Sequence, residues 1–133
     1  GYNVTDYTFA DSADVATVVQ TACGSSDVLY VPTDNVAANA AETINNVALT
    51  AGVPIVAGEE GICKGCGIAT LSISYYDIGY NAGLMAYEIL VNGQDPATFD
   101  IQYASDFTKE YNKAIADKLG IAIPEDYVEI EME

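Results

Sequence analysis

Hydrophobic positions along the chain switch between the spacing of strands and the spacing of helices. Continuous apolar runs at residues 28–31 and 53–57 are typical of strands covered on both faces. Between them, apolar side chains recur at helical spacing over residues 36–51, and Gly52 favours the end of that helix. Residues 2–7 alternate crudely and predict an earlier strand. Strand starts that lie about 25 residues apart require crossover connections, so we predict three parallel strands.

The remaining positions extend the pattern to the end of the chain. Ser12 is predicted to cap a helix that carries Val15, Val18 and Val19 and ends at Gly24. The second half is predicted to contain a strand with one covered face at 69–73, a helix at 77–91, a strand at 99–103, a helix at 107–119 and an edge strand at 128–133. The chain is therefore predicted to be one α/β domain with helices on the faces of its sheet.

Composition narrows the classes of function. Twenty Asp and Glu stand against four Lys, without Arg or His, so the formal net charge is −16. Phosphate binding needs a basic surface, so we expect no nucleic-acid partner. Missing histidine removes the commonest general base and metal ligand, so we expect neither an enzyme nor a cofactor. No apolar run approaches the roughly 18 residues of a membrane span, and the chain opens without an initiator Met, which favours a mature or shortened piece.

Polar side chains follow the two strongest strand signals. Thr33, Asp34 and Asn35 come after the first of these strands, and Glu59 and Glu60 come after the second. Ligands of open parallel sheets bind beyond the carboxyl ends of the strands, so these residues are candidates for one crevice. Carboxylates there suit an ammonium group or sugar hydroxyls. The alternatives are that Asp34 or Asn35 caps the following helix, and that Glu59 and Glu60 are solvated loop charges.

Two further features have competing interpretations. The CKGC segment at residues 63–66 lacks a second cysteine pair or a histidine, so we expect no zinc and favour a loop staple or idle thiols. Cys23 is predicted to be a small core residue. Tyr75-Tyr76 precedes a helix from Asp77 and is a candidate for a cleft, while the alternative is that these rings fill half-buried edges.

Four stretches carry a family resemblance: DVLYVPTDNVAANA, GVPIVAGEEG, GIATLSISYYDIGYNAGLMAYEIL and NKAIADKLGIAIPED. They resemble the ABC transporter substrate-binding proteins of the type I periplasmic-binding fold, whose better-known members carry tryptophan and related aromatic amino acids. The resemblance implies two Rossmann-like lobes that close over a solute. This chain, residues 1–133, then corresponds to one three-layer α/β lobe with a mainly parallel sheet, the C-terminal one. Residues 74–98 are implied to belong to the missing N-terminal lobe, so the lone chain is expected to pack that helix unusually or to exchange it in a domain-swapped dimer.

The resemblance also implies site residues and partners. Positions on the cleft wall match Thr33, Asp34, Asn35, Glu59 and Glu60, and the hinge segment matches Ser74 and Tyr75. Relatives often carry an acidic residue where Ser74 stands and lack the CKGC segment, which leaves the ligand open between an amino acid and a sugar. The implied partner is an ABC permease, and the implied location is extracytoplasmic, either periplasmic or as a cell-surface lipoprotein. A phosphoacceptor receiver domain with Asp34 as acceptor is a weaker alternative, because no acidic pair follows the first predicted strand and no lysine follows Ile101.

Overall fold

The computed structural model describes residues 1–104 and 106–132, so Glu133 at the end of the predicted edge strand lies outside the described residues. The helices are α1 (Val15–Cys23), α2 (Asn35–Asn39), α3 (Ala41–Ala51), α4 (Glu60–Gly65), α5 (Tyr75–Leu90) and α6 (Lys113–Leu119), with a 3-10 turn at Pro96–Thr98. The strands are β1 (Leu29–Val31), β2 (Ile55–Ala57), β3 (Ala69–Ser72), β4 (Thr108–Tyr111) and β5 (Val128–Glu129).

The described strands form one mainly parallel sheet in the order β1-β2-β3-β4-β5. β1, β2 and β3 run parallel to one another, β4 is antiparallel to β3, and β5 is parallel to β4. The register pairs Leu29 with Ile55, and Val31 with Ala57. The predicted α/β class with a mainly parallel sheet is confirmed.

One face of this sheet holds the main core. Val15 of α1, Ile44 of α3 and Ile62 of α4 pack with Ile55 of β2, and each is at most 1% exposed. Burial of one such side chain stabilises the fold by about 1.5–3 kcal/mol. A smaller cluster joins Ile115 of α6 to the β3 and β4 end of the sheet.

Side chains on the opposite face are exposed in the part of the chain that the structure describes, which corrects the prediction of strands covered on both faces. Tyr30, Val56 and Leu71 alternate with the core positions and are 67%, 39% and 55% exposed. In β3 the covered side chains are Thr70 and Ser72, so the alternating period was predicted correctly but the polar face is the buried one. Period alone does not say which face a helix covers, and here α4 packs over the polar side.

The start of the chain departs from the prediction. Residues 2–7 form no strand, and Tyr2 and Val4 are 96% and 82% exposed. A strand needs a hydrogen-bonded neighbour, and these residues make no ladder with the free edge of β1. Ser12 does not cap α1 either, because that helix starts after Asp14.

Helix predictions in the middle of the chain were right in extent but wrong in detail. The helix predicted at 36–51 breaks at Ala40 into α2 and α3, and Ala37 and Ala41 on either side of the break are both buried. Gly52 ends α3 in the left-handed conformation at φ 71°, as predicted. The segment expected to be a loop around CKGC is the short helix α4 instead.

The last third was mispredicted through one displaced strand. Residues 99–103 form no strand, while β4 occupies Thr108–Tyr111, inside the predicted helix 107–119. Pairing with β3 overrides the helical spacing there, and Asn112 then caps α6. Local periodicity cannot report a partner strand that lies about 40 residues away in sequence. The predicted edge strand is confirmed only at Val128–Glu129, which form β5 at the edge of the sheet, while residues 130–132 form no strand.

The described residues group into two compact units. The first contains Gly1–Ser72 and the described residues from Thr108 on, and the second is Ile73–Phe107. Within the second unit, α5 has no buried residue, and Tyr76, Leu84 and Leu90 are at least half exposed. This helix therefore has an amphipathic sequence without a core of its own in the described chain.

Candidate functional site

The loops after β1 and β2 touch at the carboxyl edge of the sheet. The Gly58 N–H donates to the Val31 carbonyl at 2.8 Å. A Cβ on Gly58 would lie 2.7 Å from the Thr33 nitrogen and 3.0 Å from the Pro32 carbonyl carbon. Glycine is therefore required for this approach, which places the two loops side by side.

Asp34 has a defined structural role in the first loop. Its Oδ1 accepts a hydrogen bond from the Ala37 N–H at 2.8 Å and so caps α2. Asn35 is the first residue of α2 rather than its cap, and Thr33, Asp34 and Asn35 are all exposed. Capping by one oxygen of Asp34 leaves its negative charge at an exposed rim.

Glu59 and Glu60 in the second loop are not simple solvated charges. Both oxygens of Glu59 cap α4, where Oε2 accepts from the Gly61 N–H at 2.9 Å and Oε1 accepts from the Ile62 N–H. Glu60 is the first residue of α4 and pairs through Oε1 with Lys64 Nζ at 2.9 Å. Glu59 is therefore held by backbone N–H groups, whereas Glu60 is paired with the side chain of Lys64.

Glu110 is a candidate that the sequence patterns did not identify. It lies on β4 opposite Thr70 of β3, on the same face as Ser72. Among the described residues, Glu110 Oε2 and Thr70 Oγ1 are buried side-chain atoms without a hydrogen-bond partner. Burial first, and then the charge of Glu60, raise the pKa of Glu110, against a hydrogen bond from Ser72 and the charge of Lys64. The alternation of Thr70 and Ser72 was visible in the sequence, but the predicted helix over 107–119 hid the strand that carries Glu110.

The Asn112 side chain connects α4, the helix after the second loop, to the start of α6. Its side chain is buried, and its Nδ2 donates to the carbonyls of Cys63 at 3.2 Å and Lys64 at 3.0 Å. Its Oδ1 accepts from the Ile115 N–H at 3.2 Å and caps α6. One side chain thus satisfies backbone groups at the end of α4 and the start of α6, which fixes the position of α4.

The CKGC cysteines are buried free thiols at the end of α4. Burial raises the pKa of Cys63 to about 12, with a further contribution from Cys66, and burial raises the pKa of Cys66 to about 11. The carboxyl end of a helix carries partial negative charge, which disfavours a thiolate, whereas reactive cysteine pairs use a helix N-terminus. Cys23 is half-buried and packs against the main core.

Ser74 and Tyr75 lie in the second unit, at the start of α5. Ser74 Oγ accepts from the Asp77 N–H at 3.1 Å and caps this helix. Tyr75 is 59% exposed. A groove of about 390 Å³ within this unit is lined by Ser74, Asp77, Met85 and Tyr103, among others.

Another groove lies away from the two loops. It has a volume of about 480 Å³, runs between α1 and α3, and is lined by Gln20, Cys23 and Thr50 among others. These residues sit toward the carboxyl ends of their helices, at the opposite edge of the sheet from Asp34 and Glu60. The groove offers no carboxylate to a ligand.

Residues 1–104 and 106–132 contain neither a cluster of metal ligands nor a membrane-spanning helix. No group of three or more His, Cys, Asp or Glu in these ranges is arranged to hold a metal ion. No helix there is both long and apolar enough to cross a bilayer.

Comparison with known sequences assigns most of the chain to one family. The sequence model of the family described as ABC transporter substrate binding protein matches residues 1–131. A tyrosine-binding protein from Clostridioides difficile (strain R20291) is 36% identical over 89 residues, which cover 67% of this chain and 26% of that protein.

Three solved structures share the fold. A substrate-binding protein with adhesive properties from Clostridium difficile, in its ligand-free open form, has a TM-score of 0.77 and 29% identity, covering 100% of this chain and 45% of its own. A conserved domain protein from Vibrio cholerae O1 biovar El Tor has a TM-score of 0.85 and 32% identity, and the match covers 97% of this chain and 45% of that protein. An ABC domain in complex with L-Trp from Streptococcus pneumoniae has a TM-score of 0.82 and 28% identity, and the match covers 94% of this chain and 42% of that protein.

The chain spans less than half the length of these solved relatives, and about a quarter of the tyrosine-binding protein aligns with it. The matched family and the tyrosine-binding relative are described as binding proteins rather than as enzymes, which confirms the prediction that the chain is not an enzyme. With the family match over nearly all residues, the chain belongs to the ABC transporter substrate-binding proteins.

Proposed function

We propose that the chain is part of the solute-binding component of an ABC importer and that its ligand is an amino acid, with an aromatic one favoured. The observation that carries this proposal is the contact between the loops after β1 and β2, which brings Asp34 and Glu60 to the same edge of the sheet. Support for the ligand class comes from one relative named as tyrosine-binding and another solved with L-Trp. Delivery to a membrane permease, outside the cytoplasm, belongs to the same proposal.

The proposed binding cleft needs a second lobe. The solved relatives are more than twice as long as this chain, and α5 has no buried residue here, so we assign residues 74–98 to a second lobe of the full-length protein. Ser74 and Tyr75 then belong to the hinge segment between the lobes. In the isolated chain, the uncovered α5 favours exchange with a second copy.

The chemistry of the first unit suits the ammonium end of an amino acid. Thr33, Asp34 and Asn35 offer a hydroxyl, a carboxylate and an amide at one rim, and Glu60 offers a second carboxylate. A net charge of −16 adds a general attraction for cationic groups. The ligand's carboxylate is assigned to backbone N–H groups, to hydroxyls or to the other lobe, because the chain has no Arg or His.

Asp34→Asn separates ligand binding from helix capping, because Asn caps a helix about as well as Asp but carries no charge. In the full-length protein we expect the melting temperature to stay within about 1 °C, since the cap bond to Ala37 is kept. The affinity for L-tyrosine and L-tryptophan is expected to fall at least about tenfold, since a hydrogen bond to a charged group contributes about 1.5–3 kcal/mol. Isothermal titration calorimetry measures the affinity.

The control is Asp11→Asn, which removes a charge from another exposed carboxylate that accepts a backbone bond, from the Ala13 N–H at 2.8 Å. This control is expected to leave amino-acid affinity unchanged. Equal losses in the two variants, or no binding of either amino acid by the unmodified protein, would count against the proposal.

A further inference from the structure

We propose that Lys64 is a built-in competitor for the ligand's ammonium group: its own ammonium fills a cation position framed by Glu60 and Glu110, and a bound amino acid displaces it. This inference rests on the proposed function and adds Lys64 and Glu110 to its site.

The cation position lies at the start of α4. Lys64 and Glu60 are one helical turn apart, with Nζ and Oε1 separated by 2.9 Å and side chains 38% and 43% exposed. Helical side chains point toward the N-terminus of their helix, so the Lys64 ammonium lies toward the end of α4 that follows β2. An exposed pair at this spacing is weak, so an incoming ammonium can replace Lys64 at little cost.

Buried acceptors beside this pair call for a hydrogen-bond donor. Thr70 is 3% exposed and its Oγ1 lacks a partner among the described residues, as does Oε2 of Glu110 on the neighbouring strand. Ser72, 7% exposed, lies on the same face two residues from Thr70. Buried polar atoms without partners are costly, and an ammonium group brings three donors. The unpartnered Thr70 Oγ1 and Glu110 Oε2 therefore match the amino end of a ligand better than its carboxylate.

The local charge favours a cation over an anion. Lys64 pairs with Glu60, and the charges of Glu60 and Lys64 both act on Glu110. A ligand carboxylate brought to Lys64 would meet the negative charges of Glu60 and Glu110, whereas an ammonium can share these two carboxylates. This balance identifies Lys64 as a competitor rather than as an anchor for the carboxylate.

The test compares Lys64→Met with Lys113→Met in the full-length protein. The control removes the same charge from another i,i+4 pair, Lys113 with Asp117 at 2.7 Å on α6. The probes are L-tyrosine, tyramine, which lacks the carboxylate, and 3-(4-hydroxyphenyl)propanoate, which lacks the ammonium. Calorimetry measures their affinities, and melting temperatures check that each variant is folded.

We expect Lys64→Met to bind L-tyrosine and tyramine about two- to fivefold more tightly than the control, as the loss of a weak competing ion pair predicts. Affinity for 3-(4-hydroxyphenyl)propanoate should not improve, and Glu110→Gln should weaken both amines. Weaker L-tyrosine binding by Lys64→Met with tyramine unchanged would make Lys64 a carboxylate anchor and overturn the inference, as would affinities equal to the control's. If the unmodified protein binds no L-tyrosine, the proposed function itself fails, and this inference fails with it.

Discussion

Replacing Gly58 by Ala is expected to destabilise the chain by about 2–3 kcal/mol, because the new methyl group meets backbone rather than a movable side chain. Its Cβ would lie 2.7 Å from the Thr33 nitrogen and 3.0 Å from the Pro32 carbonyl carbon, and neither atom can turn away. The loops after β1 and β2 must separate to accept it, which strains the 2.8 Å bond from the Gly58 N–H to the Val31 carbonyl. Amino-acid affinity in the full-length protein is expected to fall as well, since the same loops form the proposed site.

Gly24→Ala is the matched control for this substitution. A Cβ there has only ordinary contacts, with the Thr21 carbonyl oxygen at 3.4 Å and the Gln20 carbonyl oxygen at 3.7 Å, and the backbone has φ −69°. We expect a change of less than about 1 kcal/mol in either direction. Urea denaturation of the three proteins measures the differences, and a Gly58→Ala variant as stable as Gly24→Ala would contradict the close approach of the loops.

Asn112→Ala is expected to cost about 3 kcal/mol of stability. The substitution removes two donated bonds to the carbonyls at the end of α4 and leaves the Ile115 N–H at the start of α6 without its cap. A lost cap costs about 0.5–2 kcal/mol, and a buried group left unpaired costs about 1–3 kcal/mol. Because α4 begins with Glu60, loosening its other end is also expected to lower affinity for L-tyrosine.

Asn92→Ala is the control for that substitution. Asn92 also donates a side-chain hydrogen bond, to Glu88 Oε2 at 2.7 Å, but at an exposed position, so its loss is expected to cost less than about 0.5 kcal/mol. Thermal unfolding followed by circular dichroism compares the two variants. A melting temperature for Asn112→Ala within about 2 °C of the Asn92→Ala value would mean that Asn112 does not hold α4 and α6 together.

Elements with a strong local signal were predicted from the sequence. β1 and β2 stand out as short apolar runs, and α5 stands out as a long periodic segment, predicted from Asp77 and observed from Tyr75. Elements that depend on a distant partner were not predicted correctly. Residues 2–7 alternate but have no neighbouring strand, so they form none, whereas β4 forms because it pairs with β3. The polar buried face of β3 was missed for a related reason, since alternation does not reveal which side α4 covers.

The candidate site divides in the same way. The position of Thr33, Asp34 and Glu60 at one edge of the sheet was predictable, because carboxyl ends of parallel strands meet there, a rule that needs only the order of elements. Glu110 and Asn112 could not be identified, since both depend on the pairing of β4 with β3. The sequence predicted that Asp34 could cap a helix. It did not predict the cap by Glu59, because α4 itself was not predicted.

The central claim is that the loops after β1 and β2 form one wall of an amino-acid site. Hydrogen–deuterium exchange of the full-length protein, with and without saturating L-tyrosine, tests it most directly. We expect the ligand to slow exchange at residues 33–35 and 59–62 together by about tenfold or more, since bound ligand shields and stabilises both loops. Slowed exchange confined to the groove between α1 and α3, with both loops unchanged, would contradict the claim.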